Sequence, residues 1–219
     1  MIKAVIFDLD GTIANTISAI REGVNLTMEK HGYPQHSYDA ILSFINNGAR
    51  ELIRRAMPEQ FRQDEELVTR VLADYDALYG TVYLHTDRPY DGIPEAISAL
   101  RARGLKIGVL SNKQDAFVKG LAAQLLPVGA YDTAQGVIHG KPTKPDPYLS
   151  KIVAENLGVL AEECVMVGDS DVDIRTAENA GMTHLGVSWG YRNEEFLRER
   201  GAKLIAHTPS ELLSIIENF

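Results

Sequence analysis

Five short runs of apolar, mostly β-branched residues constrain the fold of this chain more than any other feature. They are Ala4–Phe7, Lys106–Leu110, Cys164–Val167, His184–Val187 and Lys203–Ala206. None alternates apolar with polar, so they predict strands covered on both faces, as in a parallel sheet. Helical patterns lie between them. Pro94 to Arg103 carries Pro in its first turn and stops at Gly104. Asp115–Leu126 stops at Pro127, Pro147–Leu157 at Gly158, and Asp171–Ala180 at Gly181. Strand alternating with helix predicts a doubly wound, Rossmann-like α/β sheet. Ala130–Gln135 is a candidate for one more short strand.

One segment departs from this rhythm. From Thr16 to Arg88 the chain shows only amphipathic helical stretches, at Thr16–His31, Asp39–Phe44, Ala49–Met57 and Glu65–Tyr83. Gly32-Tyr33-Pro34, Asn46-Asn47-Gly48 and Pro58 separate them. The expected organisation is an α/β core of residues 1–15 and 89–219 with an inserted α-helical cap, residues 16–88, over the sheet's C-terminal edge. Thr16 is the expected side-chain cap of the first of these helices. The acidic cluster Asp64-Glu65-Glu66 is expected to be a solvated helix start.

Charge and cysteine usage narrow the setting. The chain carries 30 acidic and 22 basic residues, a net charge of −8, and no basic stripe, which argues against a nucleic-acid partner. The single cysteine, Cys164, cannot form an internal disulfide, and its apolar flank predicts a buried, inert thiol in a reducing compartment. The N-terminal apolar run meets Asp8 too early for a signal peptide or a membrane span. A cytoplasmic protein, monomer or homodimer, with no membrane partner is expected. The six histidines show no metal-site spacing, which disfavours zinc.

In open α/β sheets ligands bind beyond the carboxyl ends of the strands. The first run is followed by Asp8-Leu9-Asp10-Gly11-Thr12, the second by Ser111-Asn112-Lys113, and the third by Gly168-Asp169-Ser170-Asp171-Val172-Asp173. Lys144-Pro145-Asp146-Pro147 precedes the helix that leads into the third. Asp8 and Asp10 stand two apart, so an extended segment projects both to one side. With Asp169 they form a set of carboxylates that repel one another, and a hard cation such as Mg²⁺ resolves that conflict. Gly11 permits a tight bend whose amides can approach an anion. Thr12 and Ser111 offer hydroxyls, and Lys144 a compact positive charge, to a phosphoryl group. Asp173, one helical turn beyond Asp169, can orient a metal ligand or its water.

Taken together and in this order, these residues resemble the haloacid-dehalogenase-like hydrolase superfamily in its phosphatase branch, over essentially the whole chain. The resemblance implies that Asp8 is the nucleophile that accepts the phosphoryl group. It implies that Asp10 protonates the leaving alcohol and then activates water. It assigns phosphate contacts to Thr12, Ser111, Asn112 and Lys144, and Mg²⁺ ligation to Asp8, Asp10 (usually through its backbone carbonyl) and Asp169, with Asp173 behind them. Of two Lys-Pro pairs, Lys141-Pro142 and Lys144-Pro145, the second has the family form, Lys-Pro-Asp-Pro-Tyr running into a helix. Asn15-Thr16 stands where the family commonly has Asp-Ser, which leaves the chemical residues intact.

Within the superfamily the chain is most similar to phosphoglycolate phosphatases, through Phe44-Ile45-Asn46-Asn47-Gly48-Ala49-Arg50, Ser188-Trp189-Gly190-Tyr191 and Pro209-Ser210-Glu211-Leu212-Leu213. On that likeness Asn46, Asn47, Gly48 and Arg50 are candidate ligands for a substrate carboxylate, at a helix start whose amides favour an anion. Trp189 and Tyr191 are expected to pack beside the site. The implied substrate is a small phosphorylated metabolite, 2-phosphoglycolate first. A β-phosphoglucomutase-type mutase, an inorganic pyrophosphatase and a catalytically silent binding domain are the alternatives on this fold. The intact acids, serine and lysine disfavour the last.

Overall fold

The apolar runs assemble into one parallel sheet in the computed structural model, which describes residues 1–85 and 88–219. Residues 86 and 87, near the end of the expected 16–88 cap, lie outside the described residues. The strands are β1 (Ala4–Phe7), β2 (Lys106–Gln114), β3 (Thr133–Val137), β4 (Cys164–Gly168), β5 (Thr183–Val187) and β6 (Ile205–Ala206). Their order across the sheet is β3-β2-β1-β4-β5-β6, and every pair is parallel. The chain builds outward from β1 to β3 and then returns to the other side of β1, so the order reverses between β1 and β4. That is the switch point at which such sheets open a ligand crevice.

Every residue of β1 and β4 is buried, which explains why these runs do not alternate. On one face Ala4, Ile6, Leu110, Cys164 and Met166 pack with Leu149, Val153, Leu157, Ala177 and Ala180 from two helices. Each large aliphatic side chain sealed there contributes roughly 1.5–3 kcal/mol. Cys164 lies in this cluster as a free thiol, and burial pushes its pKa up to about 11, with Glu163 adding to the effect.

Contacts divide the chain into two compact units, Met1–Asn15 with Arg88–Phe219, and Thr16–Asp87. The second unit consists of α1 (Ile17–Lys30), α2 (Tyr38–Phe44), α3 (Gly48–Ala56) and α4 (Glu65–Val82), with a single 3₁₀ turn at Glu59–Phe61 and another at Tyr83–His85. Tyr75 and Tyr79 of α4 stack with centroids 5.3 Å apart and are buried among the helices. Asp64 accepts a hydrogen bond from Leu67 N at 2.9 Å and caps α4, while Glu65 is ion-paired rather than merely solvated. The expected cap at Thr16 is absent. Its φ of −94° and ψ of 0° are not the extended geometry from which a cap oxygen reaches the first turn, and its hydroxyl makes no capping bond.

The α/β unit carries α5 (Ile93–Ala102), α6 (Asp115–Leu125), α7 (Tyr148–Leu157), α8 (Asp171–Ala180), α9 (Glu194–Glu199) and α10 (Pro209–Ile216). Three strands differ from expectation by two residues or more. β2 runs on to Gln114 through a register shift after Leu110. β3 begins at Thr133 rather than Ala130, because Gly129 and Ala130 form a turn and the Asp132 carboxylate binds Ile107 N at 2.8 Å. β6 shortens to two residues after the Gly201 turn. Among the described residues no helix is long and apolar enough to cross a membrane.

Candidate active site

The strand register sets the site. Phe7 pairs with Val109 on one side and Val167 on the other, so Asp8 leaves β1 level with Leu110 and Gly168. Asp169 and Ser111 follow one residue later on the flanking strands. Past Asp8 the chain turns tightly: Thr12 N, Ile13 N and Ala14 N all donate to Leu9 O, and Gly11 N donates to Ala14 O. Gly11 takes φ +84°, and a Cβ there would overlap the Asp169 carboxylate. Only glycine satisfies both demands.

Asp8, Asp169 and Asp173 each present a carboxylate oxygen within 4.8 Å of the others, and all three are buried. Lys144, also buried, holds its Nζ 2.9 Å from Asp8 Oδ1 and 2.7 Å from Asp173 Oδ1. The contact with Asp8 is a buried ion pair. Lys141 lies elsewhere, its Nζ 5.7 Å from the Tyr148 ring centre. Burial works against the Lys144 ammonium, but Asp173 and Asp8 outweigh it and hold its pKa above the ordinary value. Burial pushes Asp8 up to about 7, against the opposing Lys144 charge and with help from Asp173 and Asp10. Asp169 is raised well above the usual carboxylate range, by burial first and then by Asp173 and Asp8.

Three carboxylates against one ammonium leave two negative charges in excess, in a site that burial makes unfavourable to charge. Hard oxygen donors with that excess fit a divalent cation such as Mg²⁺. The Asp10 carboxylate is not in this cluster. Its Oδ2 accepts from Ser111 Oγ at 3.2 Å and its Oδ1 lies 3.0 Å from Lys113 Nζ.

Asp173 is fixed from the start of α8: its Oδ2 accepts from Ser170 Oγ at 2.6 Å and Ser170 N at 3.1 Å. Thr12 is fully buried and its hydroxyl has no hydrogen-bond partner, as a group reserved for a ligand oxygen would be. Asn112 is engaged differently from the expected phosphate contact. Its Oδ1 accepts from Lys144 N and its Nδ2 donates to Lys144 O, both at 2.8 Å, so it fastens the lysine's main chain to β2.

Two features go beyond the roles read from the sequence. The first is Lys113, whose signal was its place two residues after Ser111 on the same side of an extended segment. The second is the loop Ser188–Arg192. Tyr191 N donates to Asp169 Oδ2 at 2.6 Å, and Trp189 Nε1 donates to Thr12 O at 3.1 Å. Gly190 between them lies so close that a Cβ would overlap Gly11 O and Asp169. The two aromatic residues therefore do more than pack: their loop clasps the Asp169 carboxylate.

In the helical unit Asn46 takes φ +90°, Asn47 precedes α3 without a side-chain capping bond, and Gly48 begins the helix. Arg50 Nη2 lies 2.7 Å from Glu65 Oε2 and 3.0 Å from Thr69 Oγ1, so within its own unit the guanidinium is already engaged.

The family model for the haloacid dehalogenase-like hydrolases matches residues 2–181. A phosphoglycolate phosphatase of Thiobacillus denitrificans is 34% identical over 87% of this chain and 85% of its own length. One from Rhodospirillum rubrum is 32% identical over 89% and 83%. A candidate phosphoglycolate phosphatase of Lactobacillus delbrueckii subsp. bulgaricus, seen in a crystal structure, superposes with a TM-score of 0.88 at 31% identity, covering 98% of each chain. A β-phosphoglucomutase of Clostridium difficile shares the fold, with a TM-score of 0.81 at 22% identity over 100% of this chain and 96% of that one. The chain belongs to the haloacid dehalogenase-like hydrolases.

Proposed function

We propose that the protein is a Mg²⁺-dependent phosphatase that hydrolyses a small phosphomonoester, 2-phosphoglycolate first among candidates, through an aspartyl-phosphate on Asp8. The observation that carries this reading is the position of Asp8, bound to the buried Lys144 ammonium and grouped with Asp169 and Asp173 at the switch point of the sheet. The names of the phosphoglycolate phosphatase relatives support the substrate.

In the first half-reaction an Asp8 carboxylate oxygen attacks phosphorus and the ester P–O bond breaks. Asp10 gives its proton to the departing alcohol oxygen. In the second, Asp10 takes a proton from a water that attacks the aspartyl-phosphate, the P–O bond to Asp8 breaks, and inorganic phosphate leaves. Lys144, with the Thr12 and Ser111 hydroxyls, holds the phosphoryl oxygens as charge spreads over them. Asp8 and Asp169 with the Asp10 carbonyl would hold Mg²⁺, whose part is to offset phosphoryl charge and orient the group. Asp173 keeps the Lys144 ammonium in place.

Phosphate release from 2-phosphoglycolate, β-glucose 1-phosphate, pyrophosphate and phosphoserine, with Mg²⁺ and with EDTA, tests the proposal. The highest kcat/KM is expected with 2-phosphoglycolate, and none with EDTA. Equal rates across the panel would remove the glycolate assignment. No Mg²⁺-dependent release from any ester would remove the phosphatase reading.

A further inference from the structure

The geometry points to Lys113 as the residue that selects the substrate, by binding a carboxylate carried on the carbon next to the ester oxygen. This inference rests on the reading of Asp8 as nucleophile and Asp10 as proton donor.

Lys113 Nζ lies 3.0 Å from Asp10 Oδ1, and the lysine side chain is only 8% exposed. Its backbone N donates to Ser111 Oγ at 3.2 Å, and that hydroxyl donates to the other Asp10 oxygen at 3.2 Å. The two lysines of the site therefore divide it. Lys144 sits against the nucleophile, where the phosphoryl group arrives; Lys113 sits against the acid, where the alcohol departs. A leaving oxygen protonated by Asp10 must come within roughly 2.6–3.2 Å of one of its carboxylate oxygens. Such an oxygen is a close neighbour of the Lys113 ammonium, and a carboxylate on the adjoining carbon reaches Nζ.

Charge favours the same group: a substrate carboxylate meets the Lys113 ammonium in a charge-assisted contact on the leaving-group side, which an uncharged alcohol does not offer. Arg50, the carboxylate ligand expected from the sequence, is already engaged by Glu65.

The test compares kcat/KM for 2-phosphoglycolate with that for ethyl phosphate, which lacks the carboxylate, in wild type, Lys113→Met and Lys113→Arg. Wild type should favour 2-phosphoglycolate. Lys113→Met should lower that ratio by about ten- to a hundredfold, and Lys113→Arg should retain most of it. If Lys113 only positions Asp10, both esters lose rate together and the ratio stays put, which overturns the inference. A wild type without preference for 2-phosphoglycolate would instead contradict the substrate reading itself. Should Lys113→Met turn over neither ester, calorimetric binding of 3-phosphonopropionate against propylphosphonate reads the same ratio without chemistry. If Lys113→Met does not fold by circular dichroism, Lys113→Gln, which keeps a donor to Asp10, carries the same measurements and is judged in the same way.

Discussion

Lys144 Nζ lies 2.7 Å from Asp173 Oδ1, with both side chains sealed from solvent. The pair is the electrostatic anchor of the site: Asp173 holds the ammonium, and the ammonium holds Asp8. Breaking a buried pair costs about 3–5 kcal/mol where the other charge is left alone, and less here, because Asp8 still faces the ammonium at 2.9 Å. Asp173→Asn keeps an oxygen to accept from Ser170, so it removes the charge and spares the helix cap. We expect a loss of about 1.5–3 kcal/mol in urea unfolding, the worth of a hydrogen bond to a charged group, together with lower turnover. An unchanged unfolding midpoint would contradict the anchoring role.

The Asp169 clasp makes a separate prediction. In Gly190→Ala the new Cβ overlaps Gly11 O and Asp169, so the loop must shift and the Tyr191 N–H bond to Asp169 is strained or lost. If Asp169 holds the metal as proposed, a change of this kind one step behind it costs roughly 10- to 100-fold in metal affinity. Titration of the variant with Mn²⁺, followed by electron paramagnetic resonance, should show weakened binding while the far-ultraviolet dichroism is kept. Wild-type affinity in a folded variant would remove the clasp from the account.

The two strand-end acids should fail differently. Asp8→Asn abolishes turnover, since an amide does not attack phosphorus effectively. Asp10→Asn slows it by about 10²–10⁴, the range of general acid–base assistance. Steady-state phosphate release distinguishes the two, and similar residual rates would contradict the division of roles.

How much of this was legible beforehand follows from where the information lies. Unbroken apolar runs report burial on both faces, so β1 and β4 were readable, and the acids that follow them came with the strands. Edges were less so. β3 is displaced because the Asp132 carboxylate, not the strand ladder, binds Ile107 N, a long-range bond with no local signature. α9 and α10 did leave signals: Asn193 and Thr208 cap them, accepting from Phe196 N and Glu211 N. Lys144 could be chosen over Lys141 by motif. The engagement of Asn112 with the Lys144 main chain, and of Arg50 with Glu65, could not be read, because each depends on which surface the folded chain brings alongside.

His184 on β5 provides a pH test away from the acids. Both ring nitrogens are buried without hydrogen-bond partners, and burial depresses the pKa to about 4, with Asp173 opposing the shift. The unfolded chain takes up this proton near the ordinary value of about 6.5, before the folded one does. The imidazole's contribution to stability is therefore complete above that pH and is lost as pH falls through the folded pKa. It amounts to about 3 kcal/mol. Urea unfolding of His184→Leu should show a shallower decline than wild type between these values. Parallel curves would contradict the assignment.

The most direct measurement is a trap for phosphorylated Asp8. Protein mixed with 2-phosphoglycolate and Mg²⁺ is quenched in acid within one turnover, reduced with borohydride and mapped by mass spectrometry. Borohydride converts an aspartyl-phosphate into homoserine, so the account predicts homoserine at position 8, absent with EDTA and in Asp8→Asn. Full phosphate release with position 8 remaining aspartate throughout, or homoserine at another acid, would contradict it.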